Sequence, residues 1–161
     1  MQRALLLSSL GTVLALGTGM GSAQANTEIT WWHAMGGALG DKVEQIAADF
    51  NASQDAYTVT PVFKGNYSET MTSAIAAYRA DKGPDIVQIY EVGTATMMAA
   101  KGAIVPVHRL MASADVDFDP QAYLPAVTGY YTDPEGNMLS LPFNSSTPVT
   151  YYNRERLAQA G

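Results

Sequence analysis

Four short segments carry the side chains best suited to touch a small ligand: residues 33–37 (HAMGG), 64–67 (KGNY), 91–94 (EVGT) and 144–147 (NSST). Glu91 follows the apolar run DIVQIY directly. A carboxylate there accepts hydrogen bonds from ligand hydroxyls, or it is a solvated residue favoured by a helix N-terminus. Tyr67 stands where a turn meets a helix, offering one hydroxyl and one apolar face; the same ring also serves as a packed aromatic body. Ser145, Ser146 and Thr147 supply hydroxyls and amides that suit an anion or a polyol, although such residues also simply turn the chain. Trp31, Trp32 and His33 read as a stacking platform, or as one core indole and one indole at a cleft edge. Trp32, His33 and Ser145 are therefore secondary candidates beside Tyr67, Glu91 and Ser146.

Catalytic readings fare worse. The chain has no cysteine, so thiol chemistry is excluded, and no G-x-S-x-G elbow is present. Asp85 and Glu91 flank one strand; at about 3.3 Å per residue they stand roughly 20 Å apart, too far for a hydrolytic carboxylate pair. The two histidines, His33 and His108, have no companions at ligand spacing, so no metal site is expected. Gly36, Gly37 and Gly40 lack the G-x-G-x-x-G spacing of a dinucleotide fingerprint, and no cofactor is expected. Met97 and Met98 read as core. The chain is read as a binding protein, not an enzyme.

These segments need elements to hold them. Residues 28–32 (EITWW) and 57–63 (YTVTPVF) read as strands, the second an edge or irregular strand because of Pro61. Leu39, Val43, Ile46, Ala47 and Phe50 are spaced as one helical face. Ser68, Met71, Ile75 and Tyr78 begin a second helix, and Asp85 to Tyr90 reads as a third, continuous strand. Residues 91–101 read as a third helix, or as a loop entering one, with Gly102 as its C-cap. This alternation predicts an α/β fold, doubly wound around a mostly parallel sheet. Short helices are expected around 107–112 and 121–127, joined by an acidic loop. Beyond them, the aromatic run at 129–132, the turn Asp133–Asn137 and the run at 138–143 read as strand, turn and strand. Residues 148–153 read as another strand, with a helix opening at Arg154. In open α/β sheets ligands bind beyond the carboxyl ends of the strands, and that rule gathers all four polar segments on one edge.

Residues 1–25 have the form of a cleavable export signal: Arg3, an apolar run, then Ala23-Gln24-Ala25. The chain carries nine basic and fifteen acidic residues among 161. With no basic patch, nucleic acid is not an expected partner. Without disulfides, stability rests on packing alone.

WWHAMGG, FKGNY, QIYEVGTATMMA, GYYTD and LPFNSSTPVTYYN together resemble the periplasmic glycerol-3-phosphate-binding branch of the extracellular solute-binding proteins. The resemblance implies the first lobe of a two-lobed periplasmic binding protein over residues 26–147. It makes 148–161 the hinge strand and the start of a truncated second lobe. It also implies capture of sn-glycerol 3-phosphate, or of glycerophosphodiesters, by a monomer that delivers it to the membrane permease subunits of an ABC transporter. Tyr67, Glu91 and Ser146 fall on the ligand-contacting positions of that branch. A sugar or oligosaccharide ligand, or a fragment without function of its own, are the alternatives. An open half-site would bind its ligand weakly or not at all.

Overall fold

The computed structural model describes residues 26–100 and 102–161; the export signal read over 1–25 lies outside the described residues. Strand β1 (Thr27–His33) is central, with β2 (Tyr57–Phe63) and β3 (Ile86–Val87) on either side in the order β2-β1-β3, all parallel. Helix α1 (Gly37–Ser53) connects β1 to β2, and α2 (Tyr67–Arg79) carries the chain back across β1 to β3. The right-handed rule for parallel crossovers puts these two helices on opposite faces. Pro61 is tolerated because β2 is an edge strand; it stands opposite Trp31 and, among the described residues, has no neighbour on its outer side.

Helix α1 buries a narrower stripe than its periodicity predicts. Val43 and Ala47 are buried, one turn apart, while Leu39, Ile46 and Phe50 stay exposed. A helix lying on one edge of a three-stranded sheet covers only the rows that meet it. Helix α2 starts one residue earlier than Ser68. Asn66 caps it: its side chain accepts from the Glu69 N–H at 3.0 Å while Glu69 accepts from the Asn66 N–H at 2.8 Å. This reciprocal cap satisfies two otherwise orphaned donors. Gly65, at φ +87°, makes the preceding turn, a backbone region costly for residues with a Cβ.

The third strand is much shorter than the run Asp85–Tyr90. Only Ile86 and Val87 pair with Trp31 and Trp32. Two polar clasps hold this short ladder. At its start the Thr30 N–H and hydroxyl donate to Asp85 Oδ2 at 2.8 and 2.9 Å. At its end the Gln88 N–H donates to the Trp32 carbonyl at 2.8 Å, and then the chain turns into α3 (Glu91–Ala99). Gly102, at φ +82°, follows that helix as expected.

Helix α4 (Val107–Ser113), a 3-10 turn at Pro120–Ala122 and α5 (Pro125–Thr128) match the short helices expected there. The turn at Asp133–Asn137 closes, with the Asp133 N–H donating to the Asn137 carbonyl at 3.0 Å, but its flanks form a single bridge, Thr132 to Met138, and no strands. Residues 141–153 are unpaired too, so the segment expected as a strand at 148–153 forms no strand among the described residues. Helix α6 (Arg154–Ala160) follows, capped by Asn153.

Candidate ligand-binding site

The reversal of chain direction at β1 opens a crevice at the carboxyl ends of β1 and β3, where such sheets accept ligands. Gln88, buried at 8 % exposure, spans it. Its Oε1 accepts from the Ala34 N–H at 2.9 Å, and its Nε2 donates to Asn144 Oδ1 at 3.4 Å. The Asn144 amide also reaches Met35 Sδ at 3.7 Å. One buried amide thus ties the loop after β1 to the loop 144–147. That leaves Ser145, Ser146 and Thr147 exposed beside the sheet edge.

Tyr67 is the first residue of α2, half-buried and stacked on Tyr90, with centroids 5.5 Å apart and planes 24° apart. Tyr90 is the N-cap of α3, so Glu91 is its first residue and not a capping group; its side chain is exposed. Burial pushes the Tyr131 hydroxyl's pKa up, and the Glu91 carboxylate and Tyr67 push it the same way. Tyr131, Glu91 and Tyr67 therefore share one electrostatic neighbourhood, and Tyr131 stays a protonated donor at neutral pH. Its part in the cluster depends on the turn at 133–137: Leu139 N–H donates to the Tyr131 carbonyl at 2.7 Å. In sequence, Tyr131 was visible only inside the GYYTD motif. Gln88 was masked by its apolar neighbours.

The secondary candidates separate. Trp32 lies beneath Lys64, whose Nζ is 3.8 Å from the indole centroid. Trp31 faces away into an aromatic nest, with Phe143 edge-on at 5.3 Å and His33 at 6.0 Å. His33 is 1 % exposed, so it belongs to the interior and not to a ligand surface. Its Nδ1 accepts from the Met35 N–H at 3.3 Å, so the neutral ring carries its proton on Nε2. That atom is buried without a partner among the described residues. Among these residues no cluster of three or more His, Asp or Glu could hold a metal ion.

Burial lowers the His33 pKa, against the opposing pull of the Glu44 charge. Above the ordinary histidine value of about 6.5, both folded and unfolded chains are neutral there; below it the unfolded chain takes up a proton that the folded chain resists. Stability is therefore expected to fall as pH drops below about 6.5. The Asp85 pKa is lowered by its bonds to Thr30, so a second loss is expected further into acid. Urea midpoints measured from pH 8 to pH 4 check this. The segment between pH 7 and 5 should flatten in His33→Phe.

Comparison with known proteins agrees with this architecture. The family model described as bacterial extracellular solute-binding protein matches residues 36–161. The sn-glycerol-3-phosphate-binding periplasmic protein UgpB of Rhizobium meliloti (strain 1021) is 46 % identical over 155 residues, covering 96 % of this chain and 36 % of that protein. UgpB of Yersinia pestis bv. Antiqua (strain Antiqua) is 54 % identical over 141 residues, 87 % of this chain and 32 % of its own. The chain spans about a third of the length of these curated relatives. Among solved structures, "CpMnBP1 with Mannotriose Bound" superposes with a TM-score of 0.58 at 18 % identity, over 70 % of this chain and 27 % of that one, a likeness of fold. With the family model matching 126 of its 161 residues (36 to 161 inclusive), the chain belongs to the bacterial extracellular solute-binding proteins.

Proposed function

We propose that this chain contributes to capture of sn-glycerol 3-phosphate in the periplasm, as the solute-binding component of an ABC uptake transporter, with no chemistry performed on the ligand. Residues 26–147 form the first lobe in this reading, and 148–161 lead toward a second. Residues 1–25 direct export and are removed, and the mature protein acts as a monomer that hands its ligand to the permease subunits.

The observation that carries the reading is the stacking of Tyr67 on Tyr90, the residue before Glu91, at the sheet edge where Gln88 tethers the Asn144 loop that holds Ser145 and Ser146. The relatives named for sn-glycerol 3-phosphate support the choice of ligand. Glu91 suits the glycerol hydroxyls, because a carboxylate repels phosphate. Tyr67, Tyr131 and Ser146 are donors for phosphate or hydroxyl oxygens.

Amide spectra of the isotopically labelled chain, titrated with millimolar sn-glycerol 3-phosphate, test this. Shifts are expected at Tyr67, Glu91, Tyr131, Ser145 and Ser146, and not along α1 or α6. An unchanged spectrum, or shifts confined to other surfaces, would remove this ligand and this site. Mannose in place of the phosphate ester should move none of them.

A further inference from the structure

Three loops follow the carboxyl ends of β1, β2 and β3, with sequences AMG, KGN and QIY; their single charged residue is Lys64. Its place on the rim is fixed by backbone. The Lys64 N–H donates to the His33 carbonyl at 2.9 Å, continuing the β1–β2 ladder one residue past the pair His33–Phe63. Its side chain is half-buried, and its ammonium lies over the Trp32 ring, 3.8 Å from the centroid. Trp32 in turn is paired on both sides, with Val62 and Val87, so the platform under the ammonium is rigid. Tyr67 is three residues away across the Gly65 turn.

An indole face holds an ammonium without cancelling its charge. A carboxylate partner would neutralise the lysine and leave little field for an incoming anion. The ring leaves the full positive charge at the rim, and the contact is weak enough to be exchanged for a phosphate oxygen. Lysine acts on phosphate as a point charge, which suits a group that leans off a platform toward an anion. The surroundings make such a charge necessary. The chain has a formal net charge of −6, and the exposed Glu91 follows the loop after β3, so an anionic ligand approaching this edge meets net repulsion that a lysine offsets. Tyrosine and serine hydroxyls bind neutral polyols as readily as phosphate esters and do not by themselves choose between them.

We propose that Lys64, parked on Trp32, is the group in this half of the site that selects an anionic phosphate ester over a neutral polyol. The ligand assignment rests on the proposed function; the charge-selecting role of Lys64 does not depend on the glycerol part. Lys64 is a specificity-determining residue, with Trp32 as its holder.

The two tryptophans give two indole N–H signals, one of which belongs to Trp32 and reports directly on the ammonium above it. The test titrates inorganic phosphate, sn-glycerol 3-phosphate and glycerol into the wild-type chain, Lys64→Gln and Lys64→Arg, at low and high salt. Phosphate and the phosphate ester are expected to shift the Trp32 indole in wild type, with glycerol silent there. Lys64→Gln should weaken both anions about tenfold, the scale of one charge-assisted contact, and lose most of the salt dependence. Lys64→Arg should retain the response. If phosphate moves the Trp32 signal through Lys64 while the glycerol ester never reaches Tyr67 and Glu91, the proposed ligand falls and this inference stands. If the ester shifts Tyr67 and Glu91 equally in wild type and Lys64→Gln, the inference falls and the ligand stands. A Trp32 indole that ignores both anions also overturns it.

Discussion

Replacing Met138 with alanine is expected to lower the stability of the chain by about 2–5 kcal/mol, the usual range for truncating a buried long side chain. Met138 is 1 % exposed and is the largest fully buried side chain among the described residues. It is also where three parts of the backbone meet. Its carbonyl accepts from the His108 N–H at 3.0 Å and lies 3.0 Å from His108 Nδ1, and the residue bridges to Thr132 across the turn. The truncation leaves a hole under the segment that presents Tyr131, in a protein with few other buried apolar side chains to close around it. Urea unfolding should show a lower midpoint with an unchanged slope. A loss below about 1 kcal/mol would mean that the surroundings collapse into the space, contrary to the cavity argument.

The second large effect is expected at Gly93, inside α3. A Cβ there would meet Met71 Sδ at 2.9 Å, Ile89 Cγ2 at 3.0 Å and Tyr90 Cε1 at 3.0 Å. Alanine brings a helix-propensity gain of about 0.5–1 kcal/mol, which offsets part of that crowding because the methionine can move. Valine cannot be accommodated in this way, and overpacking of about 1–3 kcal/mol is expected. The direction of relief matters for binding. Tyr90 is the neighbour least free to move, since Tyr67 is stacked on its ring. Pushing Tyr90 aside disturbs Tyr67 and the helix end that begins with Glu91. Gly93→Val should therefore lose stability and also the Tyr67 and Glu91 amide shifts on addition of sn-glycerol 3-phosphate. Gly93→Ala should keep most of both. Loss of stability with undisturbed ligand shifts would show that the strain is absorbed by Met71 alone.

Much of the scaffold could be read from local pattern. Alternation in YTVTPVF and the apolar spacing of α1 and α2 gave β2 and both helices, because period and turn chemistry are properties of adjacent residues. Pro61 marked the edge strand for the same reason. The failures share a different cause. DIVQIY looks like a six-residue strand, yet a strand lasts only as long as its neighbour pairs with it, and β1 offers Ile86 and Val87 partners before Gln88 turns to other work. The aromatic runs around 133–137 and at 148–153 have strand composition but no partner strand among the described residues. Of the proposed site, Tyr67, Glu91 and Ser146 were legible as polar residues after strands or before an extended run. Tyr131 was not, because its relation to Tyr67 and Glu91 comes from a turn that folds distant chain back onto the sheet. His33 looked like a ligand group and proved to be interior, packed against the rings of Trp31 and Phe63.

The double fastening of β3 has a consequence for how this edge tolerates change. Asp85 is locked to Thr30 at one end and Gln88 to Trp32 and Ala34 at the other, so the intervening dipeptide works like a rivet with two heads. A rivet cannot creep: slipping by one residue would turn both heads to the wrong side of the sheet and carry Glu91 about 3.3 Å along the strand direction. Length changes between residues 85 and 88 should thus be forbidden. The chain upstream at Gly83 and Pro84, beyond the turn that closes α2, can lengthen or shorten without disturbing what lies past the rivet.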